Sequence, residues 1–357
     1  MAETEKSALR ELAGCGKPEA PRVEKKKRRP LSREQFLAGI VRCDRGVLAR
    51  AVTLIESVRE ADRKLAEHIV EDCLPHSGRS IRVGITGVPG AGKSSLIETL
   101  GRYLIEEKKQ KVAVLAIDPS SQLSGGSILG DKTRMATLGA SEMAFIRPSP
   151  SRGIAGGVAQ RTREAMLLCE AAGYRNILVE TIGVGQSETA VYGMTDFFLL
   201  ITLAGAGDEL QGIKRGVMEL ANLVLVNKAD GANVQAAERA RTEAQNALHY
   251  FPASGSGWTA RALTCSAHTG TGIRELWDCV LEYAALTRAN GWFTQTRREQ
   301  QKRWMHEMIE HTLRQQFDAH PAVRSRMKAM ERDVAEGRTT SFRAARTLLK
   351  TYADGKA

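Results

Sequence analysis

The sequence lacks any long apolar run. None of its 357 residues falls in a stretch approaching the ~20 consecutive apolar positions that a membrane-crossing helix needs. Close cysteine pairs are missing too. The six cysteines, Cys15, Cys43, Cys73, Cys169, Cys265 and Cys279, are scattered without zinc or thiol-exchange spacing, and they read as reduced cytosolic thiols. The seven histidines form no tract, which leaves a bound transition metal without a ligand cluster. The first residues carry no apolar segment of the secretory kind, and Glu3, Glu5 and Glu11 argue against a transit peptide. A cytoplasmic location is the expectation. There is no internal repeat. Aromatics are sparse at 5%, but 42% hydrophobic and 26% charged residues lie near the averages for soluble domains, so neither a fibre nor a disordered chain is indicated.

The charge that is present is basic, with a formal net value of +11. Much of it sits in Arg22, Lys25, Lys26, Lys27, Arg28 and Arg29 and in the last sixty or so residues. No base-reading motif accompanies these runs, so they read as solvated ends rather than as a nucleic-acid surface. Residues 1–30, punctuated by Pro18, Pro21 and Pro30, are expected to form a flexible basic tail. In residues 31–78, Phe36, Leu37, Ile40, Val41, Leu48, Val52, Ile55 and Val58 recur at helical spacing and predict amphipathic helices.

From about residue 79 to 290 short apolar runs alternate with helical stretches, the mark of an α/β domain whose mainly parallel sheet is flanked by helices. The runs are Ile81–Thr86, Val112–Ile117, Ala144–Ile146, Ile177–Glu180, Phe197–Leu203, Leu223–Asn227 and Ala262–Ser266. They are continuous rather than alternating because a parallel sheet is covered on both faces. Residues 291–357 return to charged helix, with Trp304, Met308, Leu313 and Phe317 as one apolar stripe, and predict a helical arm.

Gly87-Val88-Pro89-Gly90-Ala91-Gly92-Lys93-Ser94 satisfies the phosphate-loop pattern GxxxxGK[ST], after a predicted strand and before the helix that begins near Ser95. Glycines let backbone N–H groups converge on phosphate oxygens, and the helix N-terminus adds partial positive charge. Lys93 reaches the terminal phosphates and the Ser94 hydroxyl suits magnesium. Asn227-Lys228-Ala229-Asp230 follows another strand at its carboxyl end, where open α/β sheets bind ligands. A carboxylate at Asp230 accepts from the N1–H and amine of guanine, whereas adenine would set a lone pair against it. Cys265-Ser266-Ala267 fits the loop that meets the guanine oxygen, with Ser266 and Ala267 as its contacts. Guanine is therefore the expected base.

Asp118, Asp131 and Glu180 stand at or just beyond strand ends on the same edge. They supply the hard oxygen that a magnesium triphosphate needs, so Ser94, Asp118, Asp131 and Glu180 are the expected metal set. Gly183 and Gly185, within Thr181-Ile182-Gly183-Val184-Gly185-Gln186, would let the backbone approach the γ-phosphate and change shape on its loss. Lys93, Glu180 and Asp208 are residues expected to act in hydrolysis. None is a strong general base, so a low intrinsic rate is expected.

On these segments, with Ile117-Asp118-Pro119-Ser120-Ser121, Gly125 to Met135, Glu180 to Glu188 and Gly207 to Lys214, the chain resembles the MeaB/ArgK (MMAA-type) G proteins over roughly residues 35–320. The resemblance implies a GTPase chaperone, homodimeric through a C-terminal helical extension. Its implied client is an adenosylcobalamin-dependent acyl-CoA mutase, typically methylmalonyl-CoA mutase. It also implies that Asp208 to Lys214 couples partner binding to hydrolysis, which adds Lys214 to Lys93, Glu180 and Asp208 as the residues expected to act in it. The Gly- and Ser-rich segment Phe251–Thr259 departs from the family pattern and is expected to be a disordered loop. Two other readings share the phosphate loop. A small-molecule kinase or transport-associated ATPase is opposed by Asn227–Asp230, and a metal-insertion GTPase lacks its Cys/His cluster.

Overall fold

In the computed structural model the described residues are 31–57, 59–117, 135–148, 155–181, 187–205, 215–252 and 254–355. The chain divides into two units, Met1–Ser32 and Arg33–Ala357. Of the first, only residues 31 and 32 are described; every described helix and strand belongs to the second. That unit opens with helices α1 (Arg33–Val41), α2 (Arg45–Ile55) and α3 (Glu60–Cys73). The Asp44 carboxylate accepts from the backbone N–H groups of Gly46 and Val47 at 2.8 and 3.1 Å, which satisfies donors that the first turn of α2 would otherwise leave open. Phe36, Ile40, Leu48, Val52 and Ile55 are buried, whereas Val41 is exposed. Val58 lies outside the described residues.

The strands are β1 (Ile81–Gly87), β2 (Val112–Ile117), β3 (Ala144–Pro148), β4 (Asn176–Thr181), β5 (Phe197–Leu203), β6 (Leu223–Asn227) and β7 (Arg261–Thr264). They form one seven-stranded sheet in the order β3-β2-β4-β1-β5-β6-β7, and every pair is parallel. All seven expected runs are strands, with ends that move by a residue or two. Cys265 and Ser266, expected at the end of the last strand, instead leave it for a loop.

Helices cover both faces. Between the strands run α4 (Lys93–Glu106), α5 (Ala136–Ala140), α6 (Ala155–Ala171), α7 (Ser187–Tyr192), α8 (Arg215–Glu219) and α9 (Val234–Leu248), and α10 (Ile273–Ala289) follows β7. On one face Leu96, Ile97 and Leu100 of α4 and Trp277 and Val280 of α10 pack on Val83, Ile85 and Leu199. On the other, Ala244 and Leu248 pack on Leu200, Val224 and Ala262. Each large apolar side chain so buried stabilises the fold by about 1.5–3 kcal/mol.

The Phe251–Thr259 segment corrects an expectation. The described part of it is anchored by Trp258, which is buried, donates its indole N–H to the Asn222 carbonyl at 3.0 Å and packs edge-on to Tyr283. An aromatic that buries its ring and satisfies its one polar atom outweighs the local preference of Gly and Ser for irregular chain.

Three helices end the chain: α11 (Trp292–Ala319), α12 (Pro321–Ala335) and α13 (Ser341–Asp354). Pro321 stands at the first position of α12, where its missing N–H costs nothing. The arm is fastened to the α/β unit at the segment between α7 and β5, through Arg297 to the Gly78 and Ser80 carbonyls, each at 2.9 Å, and through Arg163 of α6 to Glu307. Arg297 pairs with Asp196 at 2.6 Å, Gln300 donates to the Thr195 carbonyl at 2.8 Å, and the Trp304 indole donates to the Gly193 carbonyl at 3.1 Å. Arg297, Gln300 and Trp304 share one helix face by spacing.

Candidate nucleotide site

A parallel sheet places all its strand carboxyl ends on one edge, and this gathers residues far apart in sequence. β1 lies at the centre, between β4 and β5. In register, Ile85 stands beside Glu180, Gly87 beside Ile201, Leu203 beside Asn227 and Val226 beside Thr264. The segment after β1 is therefore next to Glu180 on one side, with Asn227 and the loop after β7 on the other.

The phosphate loop occupies the turn from β1 into α4. A Cβ at Gly87 would stand 2.2 Å from the Ile201 carbonyl oxygen, so no larger residue fits. Gly92, which caps α4 with a φ of 85°, would bring a Cβ to 2.7 Å from the Asn227 amide nitrogen; its positive φ and that close approach both require glycine. Pro89, Gly90 and the buried Ala91 complete the loop, and Ser95 begins the exposed face of α4. The Lys93 ammonium donates to the Gly87 and Val88 carbonyl oxygens at 2.9 and 3.2 Å. Burial pulls this ammonium below the ordinary lysine value, while the Glu180 and Glu188 carboxylates push the other way. Added phosphate charge acts in the same direction as those carboxylates.

The Ser94 hydroxyl donates to the Glu180 carboxylate at 2.9 Å, and Glu180 is 3% exposed. One residue on, Thr181 donates to the Thr86 hydroxyl at 3.0 Å, tying β4 to β1 beside the loop. Two of the four expected magnesium ligands thus meet. Asp118 and Asp131 lie outside the described residues, as do Asp208 and Lys214. Among the described residues there is no group of three or more His, Cys, Asp or Glu that could hold a metal ion.

The base-reading residues converge on Asn227, which is 1% exposed. Its amide N–H donates to the Ala91 carbonyl at 2.7 Å. Its oxygen accepts from the Ala267 backbone N–H at 3.1 Å and from the Cys265 thiol at 3.4 Å. Burial pushes that thiol up to about 12, so it keeps its proton and acts as the donor. Lys228 is exposed with a φ of 60°, uncommon for a residue with a side chain. The turn there sends Asn227 toward the phosphate loop, while Asp230 accepts a short hydrogen bond from the Ser266 hydroxyl. One end of the edge presents a half-buried cation and hydroxyl; the other presents a carboxylate, an amide and the backbone of the base loop.

The profile of the family described as "Methylmalonyl Co-A mutase-associated GTPase MeaB" matches residues 48–322. The chain belongs to the MeaB family. This bears out the resemblance drawn from the motifs. The protein "GTPase ArgK" of Escherichia coli K12 is 48% identical over 267 residues, which span 75% of this chain and 80% of that protein. The mouse "Methylmalonic aciduria type A homolog, mitochondrial" is 42% identical over 329 residues, 89% of this chain and 79% of that protein. Among solved structures, a "LAO/AO transport system kinase" superposes with a TM-score of 0.72 at 34% identity, over 90% of this chain and 99% of that one. The MeaB family's phosphate-loop fold and its guanine-nucleotide chemistry thus apply to this chain. Among the described residues, no helix is long and apolar enough to cross a membrane.

Two features escape a reading by motif. The Thr86–Thr181 pair depends on sheet register. The Thr99 hydroxyl, on the second turn of α4, donates to the Ala267 carbonyl at 2.6 Å. No sequence pattern marks either one.

Proposed function

We propose that this chain binds and hydrolyses GTP in order to assist an adenosylcobalamin-dependent acyl-CoA mutase of the methylmalonyl-CoA type, gating cofactor loading and protecting the loaded enzyme. The observation that carries the nucleotide part is the seat of Asn227, whose one amide joins the phosphate loop at Ala91 to the base loop at Ala267. A ligand with an anionic tail and a purine fits between them. Gly87 to Ser95 cradle the phosphates, with Lys93 turning its ammonium from the loop carbonyls to the terminal oxygens. Asp230 reads the N1–H and amine of guanine, while Asn227, Lys228, Ser266 and Ala267 frame the ring.

The Ser94 hydroxyl and Glu180 carboxylate, hard oxygen donors 2.9 Å apart, fit magnesium. Asp118 and Asp131 are proposed to complete its shell. When bound, the ion would neutralise charge on the phosphates. Glu180 also holds the Ser94 hydroxyl in place, and the absence of a stronger base in the proposed set makes intrinsic hydrolysis slow. Asp208 and Lys214 are proposed to complete the hydrolytic set on partner binding.

The mutase as client rests on the family's description as mutase-associated. A homodimer through the arm is supported by Met305, Ile309 and Leu313, which recur every fourth residue along α11 and are exposed. The kinase reading is favoured only by the name of the solved relative; the guanine-type loop opposes it. A pull-down with cobalamin-dependent mutases under GDP and under a non-hydrolysable GTP analogue tests client and switch together. Nucleotide-dependent capture of a mutase is expected. Capture of none, or phosphate transfer from ATP to a small molecule, overturns the proposal.

A further inference from the structure

We propose that Thr99 is a positioning residue for guanine recognition, its hydroxyl pinning the Ala267 carbonyl to α4 and so setting the distance between base reader and phosphate cradle. This rests on the guanine-nucleotide reading of the site.

A threonine inside a helix ordinarily turns its hydroxyl back to the carbonyl four residues earlier. Thr99 has that partner, the Ser95 carbonyl at 3.1 Å. The shorter contact, at 2.6 Å, leaves the helix for Ala267. A hydroxyl has one proton, so the distance assigns it chiefly to the loop. Residue 267 is then held from both sides of its backbone. Its N–H goes to Asn227, a residue of β6 bonded in turn to the phosphate loop. Its carbonyl goes to α4, the helix that the same phosphate loop starts.

The two routes close a ring through Ala91, Asn227, Ala267 and Thr99. The base loop is also braced internally, by Ser266 N–H to Thr271 carbonyl at 2.9 Å and Thr269 N–H to the Ser266 hydroxyl at 3.1 Å. Those bonds preserve the shape of the loop but do not locate it against α4. Thr99 does. A nucleotide has a set span from ring to phosphates, so a base loop free to drift by an ångström loses contacts to the ring while the phosphate end is untouched.

The test compares wild type, Thr99→Val and Thr99→Ser by calorimetry with GDP and with inorganic triphosphate, which fills the phosphate loop alone. Valine keeps shape and removes the hydroxyl; serine restores it. Thr99→Val is expected to bind GDP about five- to ten-fold more weakly, the scale of one hydrogen bond. Its affinity for triphosphate should stay within two-fold, and Thr99→Ser should recover GDP binding. If valine proves too poorly folded at that helical position, Thr99→Ala, which suits a helix, takes its place with the same readouts. Equal GDP affinity in the hydroxyl-free variant overturns the proposal, as does equal loss of GDP and triphosphate binding or failure of serine to rescue. Wild-type protein that binds no GDP overturns the nucleotide reading and this proposal with it, whereas wild-type binding with an unaffected variant overturns this proposal alone.

Discussion

Lys93 is the only ammonium bonded to the phosphate loop's own carbonyls among the described residues. Its burial means that removing it leaves a cradle of N–H groups without the charge that phosphate oxygens require. Lys93→Ala is expected to weaken GTP by about 100-fold or more while the thermal midpoint holds, as calorimetry and melting curves would show. Normal binding by that variant would move the site elsewhere. Asp230 makes the complementary case at the ring. Its carboxylate only accepts, so Asp230→Asn places an N–H donor against the guanine amine and suits the carbonyl that xanthine carries there. Competition assays should show GTP losing about ten-fold or more and xanthosine triphosphate gaining; unchanged preference would contradict the role of Asp230. Both residues are legible in the sequence because their motifs are short and local. Thr99 is not, because its partner lies 168 positions away.

At the scale of elements, strands are easier to read than the arm. Runs such as Phe197–Leu203 are buried from Phe197 to Thr202, and a strand covered on both faces explains such a run between turn signals. The stripe Trp304, Met308, Leu313 and Phe317 reads in sequence as one packing face, and tertiary contacts divide it. Trp304 docks on Gly193 and Phe317 packs against Tyr352 of α13, while Met308 and Leu313 remain exposed. A 28-residue helix rests on the α/β unit near one end and on its own hairpin near the other, and periodicity carries no information about where support stops. The fastening is ionic and buried. Arg297 also lies 3.7 Å from Glu170, which pairs with Arg82 of β1 at 2.9 Å. Arg297→Ala strands the Asp196 carboxylate, 4% exposed, so a loss of about 3 kcal/mol is expected. Urea denaturation would measure it, and a variant as stable as wild type would show that the arm is held by other contacts.

The same network sets how the whole molecule responds to acid. Burial by itself would raise the Glu170 carboxyl, but the Arg82 and Arg297 guanidiniums and the Ser80 hydroxyl bring it below the ordinary value of 4.5. A carboxyl depressed by folding contributes stability that is present above its unfolded value and lost as pH falls through the folded one. Melting temperature is therefore expected to hold near neutrality and fall between about pH 5 and pH 3. Glu170→Gln should flatten part of that fall while lowering stability at neutral pH. A melting profile with the same acid slope in both proteins would assign the acid sensitivity to other carboxylates.

The amino-acid sequence by itself determined the α/β class, the seven strand positions, the phosphate loop and the guanine-type tetrapeptide. Each of these is a pattern within about ten neighbouring residues, governed by backbone geometry and by which faces must be apolar. Only the tertiary structure decided that Asn227 bridges Ala91 and Ala267, that Glu180 takes the Ser94 hydroxyl, that Trp258 anchors a glycine-rich loop, and that the turn before β5, the segment before β1 and Arg163 together hold the arm. Those are meetings across tens to hundreds of residues, set by strand order and register, and neither is encoded in any local period of the chain.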